Sequence, residues 1–130
     1  MRTLVEDLMA TDVAAVCTDT PTRAIAELLD SRRVSAVPVV DLQNRVVGIV
    51  SEADIIHHRY TDGTAEKIMS RPAITVRADQ PADAAAQLID HFGIKRLPVV
   101  DDLGRLVGII SRGDLVHLYA RGGIFRAADA

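Results

Sequence analysis

Two pairs of side chains in this sequence have the types and spacing to do chemistry: Ser51 with Asp54, and Ser111 with Asp114. Each pair follows an apolar run, VVGIV before Ser51 and LVGII before Ser111, and opens a segment suited to a helix. A hydroxyl and a carboxylate three positions apart at a helix start have two uses. They can form a capping box, in which each side chain accepts a hydrogen bond from the backbone of the other residue. They can also face a ligand. The unpaired amides and positive dipole end of a helix N-terminus seat a phosphate. The hydroxyl adds a donor, and a carboxylate, which only accepts, suits a vicinal diol. The residues themselves leave both readings open.

The two copies differ just upstream. Lys95 and Arg96 stand where the first copy has Ser35 and Ala36. Two cations beside a helix N-terminus fit a di- or triphosphate, and they fit a solvated strand end equally well. If they serve a ligand, the two sites are unequal. His57 and His117 also correspond, one turn beyond each aspartate, but with His58 they make no closed ligand set, and no metal is expected. Cys17 is the only cysteine, which excludes a disulfide framework and a thiolate zinc cluster. Its setting, AAVC, reads as a small buried hydrophobe. No G-x-S-x-G elbow, Walker A loop or H-E-x-x-H helix occurs, and neither serine has an identifiable base nearby, so an enzyme is not expected.

The elements that carry these residues come twice. Twenty of the fifty-four residues between 4 and 57 are identical to the residue sixty positions further on, with no gap. The copies divide as 1–62 and 63–130, joined by TDGT at 61–64 and forming one module. Each begins with a helical turn (VEDLM, AEKIM) and a short strand (AAVCT, AITVR). Pro21 and Pro81 suit the first turn of helices over 21–31 and 81–91, with Ile25, Leu28 and Leu29, or Ala85, Leu88 and Ile89, on one stripe. AVPVVD and RLPVVD read as strands, LQNR and DLGR as hairpin turns, and VVGIV and LVGII as the answering strands. These apolar runs are continuous, which predicts sheets covered on both faces. The fold class is α/β (α+β): two β-α-β-β-α repeats packed about a pseudo-twofold axis.

Bulk properties narrow the partners. A net charge of -3 and only four aromatics, Tyr60, Phe92, Tyr119 and Phe125, argue against nucleic acid. The N-terminus lacks an apolar signal region, and no run is long enough for a membrane span. A soluble, cytoplasmic protein is expected. In the tail, ARGGIFRAADA, Gly122-Gly123 ends the last helix, and Ile124 and Phe125 are apolar candidates for covering a neighbouring subunit or folding back on the core.

M-x-R-P at 69–72, the strands AVPVVD and RLPVVD, and above all VVGIVSEADI and LVGIISRGDL resemble the CBS domain (the cystathionine β-synthase type). Such domains occur as tandem pairs, or Bateman modules, and the likeness covers about 1–120. The resemblance implies a regulatory ligand-binding module with clefts between the repeats, often dimeric. It implies AMP, ADP or ATP as ligand, with S-adenosylmethionine as the alternative, and no required cofactor. Asp54 and Asp114 would contact ribose hydroxyls, and Ser51 and Ser111 would lie near phosphate. Lys95 and Arg96 would add charge. Val37-Pro38 and Leu97-Pro98 would form an adenine slot, with Ala15 and Thr75 as its opposite wall. The partners implied are a homodimer mate and a separate effector protein. The competing reading is a dimerisation or partner-docking module without a small molecule.

Overall fold

A computed structural model of the chain describes residues 2–122. Its elements run α1 (Val5–Leu8), β1 (Val16–Cys17), α2 (Thr22–Arg32), β2 (Ala36–Val40), β3 (Val46–Ser51) and α3 (Glu52–His57). The same order follows in α4 (Ala65–Ile68), β4 (Val76–Arg77), α5 (Ala82–Phe92), β5 (Arg96–Val100), β6 (Leu106–Ser111) and α6 (Arg112–Ala120). They build two three-stranded sheets, β1-β2-β3 and β4-β5-β6. In each, the first pair is parallel and the second antiparallel. The fold class is the mixed α/β one that the sequence predicts.

Packing does not divide the chain at 62 and 63. Ala14–Ala73 form one compact unit, and the residues up to Val13 join those from Ile74 onward in the other. The entry helices carry this exchange. The Val5 amide donates to the Gln80 carbonyl at 2.8 Å and the Glu6 amide to the Ala78 carbonyl at 3.0 Å. Ala10 and Ile109 exchange both backbone bonds, at 2.8 and 2.9 Å. In the other unit Ala65 bonds Thr20 and Glu66 bonds Thr18, both at 2.9 Å, and Ser70 exchanges two bonds with Ile49. Each sheet thus satisfies the open edge of β6 or β3 with an entry segment from the opposite sequence repeat. The duplication sets the division in sequence; the need to pair that edge sets the division in space.

Glycine makes the close approach feasible. A Cβ on Gly108 would stand 2.5 Å from Met9 Sδ and 2.9 Å from the Ala10 carbonyl oxygen, and one on Gly48 would stand 2.5 Å from Met69 Sδ. The cores are separate clusters. Val5, Val76, Ala85, Leu97, Val99 and Ile110 lie in one, and Val16, Ile25, Val37, Val39, Val50 and Ile68 in the other. Coverage on both faces holds for the central strands, where Val37 to Val39 and Leu97 to Val100 are buried in succession. The outer strands β3 and β6 alternate, with Gly48 and Val50, or Gly108 and Ile110, as the buried positions.

Two local expectations change. Pro21 and Pro81 are extended residues preceding the helices, with ψ near 150°, and bridge Thr64 and Leu4. Their fixed φ serves the helix entry rather than its first turn. Cys17 is exposed: β1 pairs on one side only, and its alternation spends the inward position on Val16. Asp41 and Asp101 each gather two turn amides and the arginine four residues on, at 2.7–2.9 Å. The arginine's backbone N–H, chiefly, holds each carboxyl below the usual aspartate value, against some burial. Ile124 and Phe125 lie outside the described residues. Among the described residues no helix is long and apolar enough to cross a membrane.

The two long helices end differently in one informative way. Gly93 closes α5 in the left-handed region at φ 63°, whereas Arg33 closes α2 at φ 53°. An arginine there carries a Cβ cost of about 1 kcal/mol that glycine avoids. Arg33→Gly is expected to raise stability by ~0.5–1 kcal/mol in urea unfolding, after the entropy glycine adds to the unfolded chain. An unchanged midpoint would mean the cap is unstrained.

Candidate functional site

Ser51 and Ser111 end their strands with extended dihedrals and at once become the N-caps of α3 and α6. The Ser51 hydroxyl oxygen accepts from the Asp54 amide at 3.2 Å, and Asp54 Oδ2 accepts from the Ser51 amide at 2.8 Å. In the second copy the same two bonds measure 3.2 and 2.9 Å. The capping reading is therefore realised in both copies. The first helical amide is also engaged, Glu52 with the Ser35 carbonyl and Arg112 with the Lys95 carbonyl, both at 2.9 Å. What remains at each helix head for a ligand is the second amide and the spare acceptor positions of the carboxylate, and at α6 also the serine proton, because the Ser51 hydroxyl already donates to Asp54 Oδ2.

Those spare positions are unequal. Asp54 Oδ2 also accepts from the Ser51 hydroxyl at 3.0 Å, and its Oδ1 faces the Ser70 hydroxyl at 3.5 Å. Asp114 Oδ2 takes the Ser111 amide alone, and Oδ1 has no hydrogen bond among the described residues. The residue that crosses β6 where Ser70 crosses β3 is Ala10, which has nothing to donate from its side chain.

Arg96 lies directly opposite Ser111 across the β5–β6 ladder, and Ala36 opposite Ser51. Directly opposed residues share a face, so the second copy sets a guanidinium beside its capping serine and the first sets a methyl. The Arg96 Nε is enclosed and has no hydrogen-bond partner among the described residues; Lys95 is exposed. Val37 and Leu97 are 1% and 0% exposed, so their side chains belong to the cores. Pro38 and Pro98 face Ile49 and Ile109, whose own N–H and C=O turn away to Ser70 and Ala10. These are non-hydrogen-bonded pairs, in which a missing donor leaves no gap. The ladder bond each proline lacks faces the other neighbour, β1 or β4. Ala15 and Thr75, both half-buried, immediately precede those strands and in the parallel register stand opposite the prolines. One unit thus gathers Ala15, Val37, Pro38, Ser51 and Asp54, and the other Thr75, Lys95, Arg96, Leu97, Pro98, Ser111 and Asp114.

Sequence reasoning missed Ser70 and Ala10. Their signal was a difference between otherwise equivalent entry segments, legible only once the segment is known to cross the motif strand. The histidines stay apart from any ligand set. His57 and His58 meet edge-to-face at 4.9 Å. His117 Nε2 lies 3.2 Å from an Arg121 guanidinium nitrogen, which can only donate, so the ring accepts there. Among the described residues no group of three or more His, Cys, Asp or Glu could hold a metal ion.

Comparison with known proteins decides the family. The CBS domain profile matches residues 5–60 and 65–121, nearly the whole chain and once per repeat. The chain belongs to the CBS domain family. This CBS pair is 33% identical over 112 residues to an uncharacterized protein, MK0525, of Methanopyrus kandleri, covering 79% of this chain and 57% of that one. It is 31% identical over 118 residues to the L-aspartate semialdehyde sulfurtransferase of Methanocaldococcus jannaschii, covering 90% of this chain and 23% of the enzyme. The pair therefore spans little more than half of the first relative and under a quarter of the second, whose enzyme name belongs to a much longer chain. Among solved structures, the CBS domain pair of protein MJ0100, in complex with 5′-methylthioadenosine and S-adenosyl-L-methionine, superposes with a TM-score of 0.81 at 30% identity, covering 93% of this chain and 98% of that one. CBSX2 in complex with AMP gives a TM-score of 0.81 at 29% identity, covering 92% and 97%.

Proposed function

We propose that this CBS pair is a non-enzymatic regulatory module that binds an adenosine-containing nucleotide, AMP, ADP or ATP, through its strand-to-helix motifs. The observation that carries this reading is the spare acceptor capacity of Asp114 at the head of α6, with Oδ1 free of hydrogen bonds among the described residues. A carboxylate already oriented by its cap and still able to accept is suited to a ribose diol. The similar pairs that hold AMP or S-adenosylmethionine with methylthioadenosine support the adenosine class. The guanidinium of Arg96, opposite Ser111, favours a phosphate over the sulfonium of S-adenosylmethionine. Val37-Pro38 with Ala15, and Leu97-Pro98 with Thr75, supply main-chain surface for the base. Ser111 offers its proton toward phosphate, and Lys95 adds charge at the rim.

As a regulator the module responds because its ligand binds two states unequally. It acts in the cytoplasm, as a homodimer, on a separate effector protein. Thermal shift with AMP, ADP, ATP and S-adenosylmethionine, each in turn, tests the reading. A nucleotide at a hundred times its dissociation constant adds about 2.7 kcal/mol to stability, and Asp114→Asn is expected to remove that gain while the ligand-free protein still melts cooperatively. An absence of any shift with every probe would leave the docking-module reading in its place.

A further inference from the structure

The two aspartates of the repeated motif are not equally available, and the cause lies outside the motif. Asp54 already receives three hydrogen bonds: the Ser51 amide at 2.8 Å, the Ser51 hydroxyl at 3.0 Å and, at the longer distance of 3.5 Å, the Ser70 hydroxyl. A carboxylate has about four acceptor positions, and a vicinal diol needs two of them. Among the described residues Asp114 receives one bond, from the Ser111 amide. The difference at Oδ1 follows from the exchanged entry segments. Ser70 is fixed over β3 by its two backbone bonds to Ile49, and Ala10 is fixed over β6 in the same register by its two bonds to Ile109. The backbone delivers a side chain to the same place in both units. In one that side chain is a hydroxyl donor, and in the other it is a methyl.

We infer that Ser70 is a specificity-determining residue that closes the Asp54 motif to a nucleoside diol, so that the chain takes up one adenine nucleotide, at Asp114. Ser70 does so by occupying the carboxylate oxygen that a ribose hydroxyl would use, and a ligand must displace it first. Displacing a hydrogen bond of this length from a carboxylate weakens binding by about threefold to tenfold. A second asymmetry acts in the same direction: the residue facing the capping serine is Arg96 beside Ser111 and Ala36 beside Ser51. The inference rests on the nucleotide-binding reading above and adds which motif serves it.

Isothermal titration with AMP distinguishes the two. Wild type is expected to bind one AMP per chain, with Asp114→Asn lowering affinity at least tenfold and Asp54→Asn leaving it unchanged. Ser70→Ala is expected to reveal a second site per chain, which Asp54→Asn in that background removes. The converse change, Ala10→Ser, is expected to weaken the Asp114 site by about threefold to tenfold. Two equal sites in wild type, or a Ser70→Ala protein that still binds one, would overturn the role of Ser70 and leave the nucleotide reading intact. No saturable binding of AMP or ATP to wild type or Ser70→Ala would overturn both.

Discussion

Val5→Asp is expected to destabilise the protein by about 4 kcal/mol, the order of cost for an unpaired charge in an apolar core. The loss of hydrogen-exchange protection should fall on residues 74–122. Val5 is 0% exposed and packs with Val76, Ala82 and Leu97. A carboxylate there has no cation to meet, because the buried residues of the described chain include none that are polar or charged. Against a domain stability of ~5–15 kcal/mol, such a loss removes a large share. The site of the damage is the sharper part of the expectation. If repeats 1–62 and 63–130 were the packing units, protection would be lost between 14 and 62 instead. Ala65→Asp, at the equivalent position of the second repeat, should do that, since Ala65 is 0% exposed in the core with Val16, Ile25 and Val50. If both variants lost protection in the same half, the exchange of entry segments would be refuted.

Gly108→Ala is the second large effect, expected to cost ~2–3 kcal/mol, near the upper range for overpacking. The new Cβ would meet Met9 Sδ at 2.5 Å and the Ala10 carbonyl oxygen at 2.9 Å. A thioether can swing aside, but the carbonyl is held by the Ile109 amide and cannot retreat without breaking that bond. The three atoms nearest a Cβ on Gly48 all belong to the Met69 side chain, so Gly48→Ala should cost about 1 kcal/mol less. Urea midpoints of the two variants, measured side by side, test the ranking; equal costs would show that the backbone oxygen is not the obstacle.

Much of this was legible in the residues because the governing physics is local. The stripe of Ile25 and Leu29, the strand-to-helix change at Ser51 and Ser111, and the hairpin turn at DLGR all depend on neighbours within a few positions. The sixty-residue register then carried each reading into the other copy. What was not legible depends on partners far away in sequence. The entry segments around Met9 and Met69 are too alike for a sequence to say which covers β3 and which β6. Pro21 and Pro81 gave their fixed φ to the helix entry because Thr64 and Leu4 bridge them there. The candidate site divided along the same line. Its capping geometry followed from Ser-x-x-Asp alone, whereas the load on Asp54 depends on a serine sixteen residues away.

The exchange of entry segments also imposes an order on synthesis. Once residue 73 has left the ribosome, every strand and helix of the Ala14–Ala73 unit exists and can close. The segment around residues 5–10 must wait for β6, roughly a hundred residues later, a delay of ~5–20 s at ordinary translation rates. Within that time the β3 edge at Ile49 is made about twenty residues before Ser70 arrives to claim it, and the earlier segment carries a methionine at the same place. The nascent chain is thus offered its wrong mate first, and any pairing made with it must be released before the native one can close.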